Sequence, residues 1–307
     1  MFYPRAAQES FLLSPFCANF KIVYCLIYVL PLHISASTRA AAGRSRDAPE
    51  AIRARIRSVS FSTTLCSLAT FVLLCRSSAA DQGSPWHIMG YWPLGIIDAF
   101  RSLLLTTLLF AGPLYECLLI DGVWQSWLRL EPLGQLWGDW AMWRNMVAGP
   151  ITEECLFRSA AVPLLLVAGC SIKRIIFFSP LVFGLAHLHH FYEFRVTHPE
   201  TPLVAAIARS ILQLSYTSVF GAYATFIFLR TGSLLSVVTV HTLCNSIGLP
   251  RVWGVLEPYW LSHHELSQPS NVLRWTIPYY VLLLGGCVLW WQNISSLTTS
   301  PMALAEF

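Results

Sequence analysis

The sequence predicts an all-α fold, a polytopic membrane bundle of about eight transmembrane helices with a cavity open to the cytosol. Three features lead there: a deficit of charge, a series of apolar runs, and polar residues set at helical spacing inside those runs. Of the 307 residues 55% are hydrophobic and only 12% charged, against roughly 25% charged in an ordinary soluble domain. With about half the usual water-facing charge missing, the lipid bilayer is the first partner to expect. A net charge of +4 is too small to argue for nucleic acid. The nine cysteines show no CxxC pair and no regular spacing. Several of them (Cys25, Cys66, Cys287) lie within apolar runs, so they read as free buried thiols.

A spanning helix needs about 20 mostly apolar residues. The clearest candidates are Ser60–Cys75, Ile96–Ile120, Ile175–His190, Leu203–Leu229, Leu234–Leu249 and Trp275–Trp291. A first run, Phe11–Ile34, is interrupted by Lys21, and another, Val147–Ala168, carries two glutamates. The first run has no small-residue cleavage site before mature sequence, so it reads as an anchor, and residues 11–75 as anchor helices. With no repeat and no long soluble insert, residues 1–307 form a single membrane domain. The loop STRAAAGRSRDAPEAIRARIRS sets Arg39, Arg44, Arg46, Arg53, Arg55 and Arg57 against Asp47 and Glu50. Such enrichment marks the cytoplasmic side and sends the amino terminus to the lumen. Five tryptophans between Trp124 and Trp143 read as an interfacial element leading into the glutamate run. The sequon Asn293-Ile-Ser295 abuts a helix end and carries little weight.

Charge is costly in a membrane, so the polar residues carry most of the information. In GPITEECLFR, Pro150 suits the first turn of a helix. Glu153 and Glu154 would then sit in that turn, where the helix dipole favours carboxylates. Glu154 and Arg158, four residues apart, can pair, while Glu153 points elsewhere and has no obvious partner. In PLVFGLAHLHHFYEF, Phe183 and His187 share a face, and His189 and His190 read as interfacial. In VVTVHTLCNSIGLP, His241 and Asn245 repeat the four-residue spacing and must face protein or a wet cavity. Taken singly, these are a helix cap, a core histidine and an interhelical hydrogen-bond pair worth about 0.6–2 kcal/mol. Taken together, a carboxylate, two imidazoles and a carboxamide are the parts of a hydrolytic site.

Nucleophilic serine chemistry finds no GxSxG or GxSG element, aspartyl chemistry no GxGD/YD pair, and zinc chemistry no HExxH. Glu153, His187 and His241 stay open as metal ligands, but a water activated by glutamate and histidine fits better. A non-catalytic scaffold and a transporter remain as rivals. The intact polar set speaks against the first, and the lack of inverted repeats against the second.

EECLFR, FGLAH and HTLCN, in that order, match EExxxR, FxxxH and HxxxN boxes. Over roughly Trp143–Pro250 the chain resembles the type II CAAX prenyl endopeptidases, the Ras-converting group of the wider CAAX protease and bacteriocin-processing family. The resemblance implies a multi-pass enzyme of the endoplasmic reticulum membrane with its active site facing the cytosol. It would remove the last three residues from farnesylated or geranylgeranylated CAAX proteins, small Ras-like GTPases among them. It also implies Glu153 as general base, His187 holding the water, and His241 with Asn245 as oxyanion hole. Glu154 and Arg158 would be an orienting pair, Phe183 would pack beside the water, and no metal or cofactor would be needed. A zinc-dependent version of the same protease stays as the alternative.

Overall fold

Apolar sequence at this density folds into helices, because only a helix satisfies its own backbone where water is scarce. The computed structural model describes residues 14–41, 45–77 and 83–306, with side chains from residue 21 onward. The main helices are α1 (Ser14–Val29), α2 (Pro49–Arg76), α3 (Ile96–Leu109), α4 (Ala111–Ile120) and α5 (140–167). They are followed by α6 (Ile172–Thr197), α7 (Leu203–Thr231), α8 (Leu234–Ile247) and α9 (Pro269–Leu297). Short helical turns join them, and no β-strand occurs among the described residues. Four of these, α2, α6, α7 and α9, are each long and apolar enough to cross a membrane, and the α3–α4 pair adds at most a fifth. Their outer faces are greasy: Val204 is 78% exposed, Leu284 69% and Val281 63%. Faces like these call for lipid.

Three features separate the expected count of about eight spans from the four or five that length and composition support among the described residues. The Ile96–Ile120 run breaks by 81° between α3 and α4. Pro113 has no N–H to return to the Leu109 carbonyl, so the ladder fails there. Residues 21–34 and α8 are apolar but short. The glutamate run lies inside α5, which begins well before it, at Trp140. Asp139 caps α5 by accepting from the Ala141 amide at 2.7 Å. Pro150 is therefore an interior proline, and Glu153 and Glu154 are not in a first turn.

Two π turns, Arg144–Ala148 and Cys155–Ala160, let α5 continue past Pro150 and Pro163. A wide turn leaves carbonyls unpaired, and the neighbouring helices supply donors. Asn245 Nδ2 donates to the Asn145 carbonyl and Thr242 Oγ1 to that of Met146, each at 2.9 Å. From α2, Thr63 reaches the Thr152 carbonyl (3.3 Å) and Thr70 that of Ala160 (3.0 Å). The tryptophan region consists of short helices, Val123–Leu128, Glu131–Gly138 and Trp140–Trp143, in which no residue is buried. Cys25, Cys66 and Cys287 are free thiols as expected, but only Cys66 is buried; Cys25 is half-buried and Cys287, on the outer face of α9, is exposed. Cys170 departs from that expectation, being disulfide-bonded. Arg44 lies outside the described residues.

Helix α9 packs against the bend through glycine. A Cβ on Gly286 would collide with the Leu108 carbonyl oxygen, while one on Gly285 would meet nothing within 4 Å. Gly286→Ala should therefore cost about 1–3 kcal/mol, whereas Gly285→Ala should be neutral or gain up to about 1 kcal/mol in helix propensity. Thermal unfolding of the two detergent-solubilised variants checks this, and equal melting temperatures would contradict the close contact.

Candidate active site

Adjacent residues on a helix are rotated by about 100°, and the α-helical stretch Gly149–Glu154 between the two wide turns sets the two glutamates on different faces. Glu154 is fully buried, and its Oε1 accepts from Arg158 Nη1 at 3.0 Å and from His241 Nδ1 at 2.7 Å. Arg158, itself 1% exposed, donates through Nη2 to the Gly221 carbonyl of α7 at 3.3 Å. Its guanidinium carbon stands 4.6 Å from the Phe183 ring centroid and 5.8 Å from that of Phe220, so aromatic faces cover the rest of the charge. Gly221 is required for this approach. A Cβ there would come 2.7 Å from Pro180 Cβ and 3.3 Å from Arg158 Nη2. The pairing read from the four-residue spacing is present, with His241 as a third member.

Glu153 faces the other way, into a cavity of about 1200 Å³ that His187, His241 and Asn245 also line. Its side chain is 22% exposed, and its Oε2 lies 4.0 Å from His241 Nε2. His187 Nδ1 lies 2.9 Å from the Phe183 carbonyl, which accepts only if that nitrogen bears the proton. The Nε2 lone pair is then free. The Phe183 ring meets His187 edge to face at 4.9 Å, and Phe220 lies 4.6 Å from the His241 ring. By the same logic Glu154 fixes the His241 tautomer with Nδ1 protonated, leaving Nε2 toward Glu153. Asn245, expected only beside His241, also staples α5, because its bond to Asn145 fixes the carboxamide. The structure thus brings all four candidate residues to one cavity, with Glu154, Arg158 and Phe183 directly behind them.

The rim holds groups that spacing alone did not single out. Glu193 is 1% exposed and pairs with Arg55 of α2 and with Arg46 (3.1 Å). His190 Nδ1 lies 3.2 Å from Glu193 Oε2 and 2.9 Å from Arg46 Nη1. His189 and His190, expected at an interface, are half-buried and line the cavity. The cation-rich loop supplied a signal, since six arginines against two acids leave some free to bind an acid elsewhere in the fold. No local pattern marked Glu193 as that acid. Nearby, Arg144 donates to Asp47 at 2.7 Å. This hydrogen bond, reinforced by neighbouring arginines, holds the Asp47 carboxyl below its ordinary value against the opposing effect of partial burial. The pair therefore persists down to acidic pH.

Among the described residues one trio gathers ligand atoms within 4.8 Å of one another: His189, His190 and Glu193. It makes a poor cation site, since the Glu193 oxygens already serve two guanidinium groups that a metal would have to displace. Glu153, His187 and His241 are not gathered in this way. What the cavity offers is a carboxylate facing open space, an imidazole lone pair, and an imidazole and an amide able to donate. That is the equipment for activating water beside a carbonyl.

A sequence model described as type II CAAX prenyl endopeptidase Rce1-like matches residues 135–247. The chain is 35% identical over 270 residues to a probable CAAX prenyl protease 2 of Schizosaccharomyces pombe, covering 88% of this chain and 89% of that one. It is 37% identical to the human CAAX prenyl protease 2 over 69% of this chain and 66% of that one. For the Saccharomyces cerevisiae CAAX prenyl protease 2 the identity is 24%, over 89% and 93%. No solved structure matches.

The two glutamates should separate in stability measurements. Arg158→Met leaves Glu154 buried with a single partner and should cost about 3–5 kcal/mol. Glu153→Gln, with its side chain in the cavity, should change stability by less than about 1 kcal/mol. Denaturant or thermal unfolding of the purified variants reads the difference, and equal losses would mean that the carboxylates are not divided as described.

Proposed function

We propose that this chain, which belongs to the type II CAAX prenyl endopeptidase family, cuts the bond after a prenylated cysteine and releases the last three residues of CAAX proteins. Farnesylated and geranylgeranylated small GTPases of the Ras-like kind are the substrates to expect, and the endoplasmic reticulum membrane the site of action. The observation that carries this reading is the division of labour between neighbouring glutamates. Glu154 is consumed by Arg158 and His241, while Glu153 faces the cavity.

In this mechanism Glu153 takes a proton from a water that the His187 Nε2 lone pair helps to position. The water oxygen bonds to the carbonyl carbon, and the electron pair moves to the carbonyl oxygen. Asn245 and His241 donate to that oxyanion, a single such donor being worth roughly 3–4 kcal/mol in a partly dry site. His241 can donate from Nε2 only when both ring nitrogens carry protons; Glu153 is neutral once it holds the water proton, so Glu154 at Nδ1 and the oxyanion itself supply the counter-charge. Collapse of the intermediate breaks the C–N bond, and Glu153 passes its proton to the departing amine. Arg158 and Phe183 position these groups without touching substrate.

The cavity is also suited to an amphiphile. Its far wall is apolar, built from Tyr216, Val219 and Phe226 of α7 and Trp290 and Trp291 of α9. About eight segments cross or enter the bilayer as a single membrane domain, so a prenyl chain can enter from lipid. The cavity opens to the cytosol on the side of the arginine loop. Glu153→Gln should abolish release of the tripeptide from a farnesylated CAAX peptide, with a loss of at least about 10³-fold. His187→Ala should fall nearly as far, and His189→Ala only mildly. Turnover by Glu153→Gln at the wild-type rate would end the glutamate mechanism. Inhibition by 1,10-phenanthroline that zinc reverses would replace it with a metal-dependent one.

A further inference from the structure

A peptide cut three residues from its end carries a free carboxylate close to the scissile bond. The structure contains a place for that charge. A second cavity of about 670 Å³ adjoins the first, and Arg46, Arg144 and His190 line both. Arg209 lines the second cavity. Around the shared rim the guanidinium groups of Arg46, Arg55, Arg144 and Arg209 face two carboxylates, Asp47 and Glu193, leaving two positive charges in excess. Their present engagements leave room for another anion. Glu193 already has Arg55 and His190, so Arg46 is not its sole partner. Asp47, the partner of Arg144, is 57% exposed, and a pair that open to solvent is worth little. Arg209 has no carboxylate partner among the described residues, and its guanidinium carbon stands 4.7 Å from the Phe194 ring centroid. Three extended residues span at most about 10 Å, and Glu153 lines the same cavity as Arg46 and Arg144, which open onto the second one.

We propose that Arg46, Arg144 and Arg209 bind the C-terminal carboxylate of the substrate, and that this anchor sets the cut three residues from the chain end. The inference rests on the endopeptidase reading above. Guanidinium suits the task because its planar fork can take both oxygens of a carboxylate. An anchor at a fixed distance from Glu153 measures length without reading the side chains between.

The test uses the full-length protein in phosphatidylcholine vesicles and matched farnesylated peptides. One ends in the free acid, one in the amide, and one is a free acid longer by a residue. Wild type should favour the acid over the amide by about 10- to 100-fold in kcat/KM, and the lengthened peptide should lose as the amide does. Arg144→Gln and the exposed-site variant Arg209→Gln should each shrink the acid-to-amide ratio several-fold, chiefly through KM, and Arg144→Lys should restore part of it. A wild-type ratio near one, or variants that lose acid and amide turnover equally, would overturn the proposal. So would a ratio near one in phosphatidylcholine that shifts only when phosphatidylserine is added, because the arginines would then be reading headgroups. Failure of wild type to cut either peptide would instead remove the endopeptidase reading, and this inference with it.

Discussion

Burying a guanidinium in an apolar bundle is tolerable only if every face of it is met, and Arg158 draws four helices together to achieve this. Glu154 answers it from its own helix, the Gly221 carbonyl and Phe220 from α7, and the Phe183 ring from α6. Helix α8 joins through His241, which donates to the same Glu154 oxygen. Removing one member of such a cluster leaves an uncompensated buried charge, so the contacts hold as a set. The consequence for chemistry is geometric. The segments carrying Glu153, His187 and Asn245 are held in register by a cluster in which Glu154 and Arg158 only position, while His241 also faces the cavity.

The same economy governs the backbone. Helix α5 keeps two interior prolines by widening into π turns, and a widened turn inside a membrane protein must find outside donors for its carbonyls. Threonines of α2 and the Thr242–Asn245 pair of α8 supply them. Asn245 thus holds the turn just before Glu153 and reaches the cavity as well. A structural bond and a place in the cavity wall meet in one side chain, and loss of its amide would disturb both.

Residues four apart on one helix were legible from spacing, because the helical repeat alone puts them on a common face. Glu154 with Arg158 and Phe183 with His187 are of this kind, and the separate direction of Glu153 follows from the same rule. What spacing could not convey is any contact between distant segments. His241 on Glu154 and Glu193 beneath Arg46 and Arg55 join residues 87 to 147 positions apart. The start of α5 was misplaced for a related reason: proline at a first turn is the usual arrangement, and only donors from α8 allow Pro150 to sit inside. The apolar runs foretold helices but not the breaks in them, since a run broken at Pro113 looks continuous in composition.

One cavity here has two unlike ends. Its α7 and α9 wall is aromatic and aliphatic, with Trp290 and Trp291 beside Phe226, while its rim carries arginine from the loop before α2 and from α5. A purely apolar ligand would gain nothing from the rim, and a purely charged one would forfeit the wall. Only a molecule greasy at one end and anionic at the other recovers both, and Glu153 lines the same cavity. A prenylated chain end has that form: an isoprenoid thioether, a short peptide, and a carboxylate. After the cut the tripeptide keeps only the rim's attraction, and the prenyl fragment keeps the wall but gains its new carboxylate at the cut site rather than at the rim, so each binds less tightly than the intact substrate. Product release is thus assisted by the same asymmetry that favours binding.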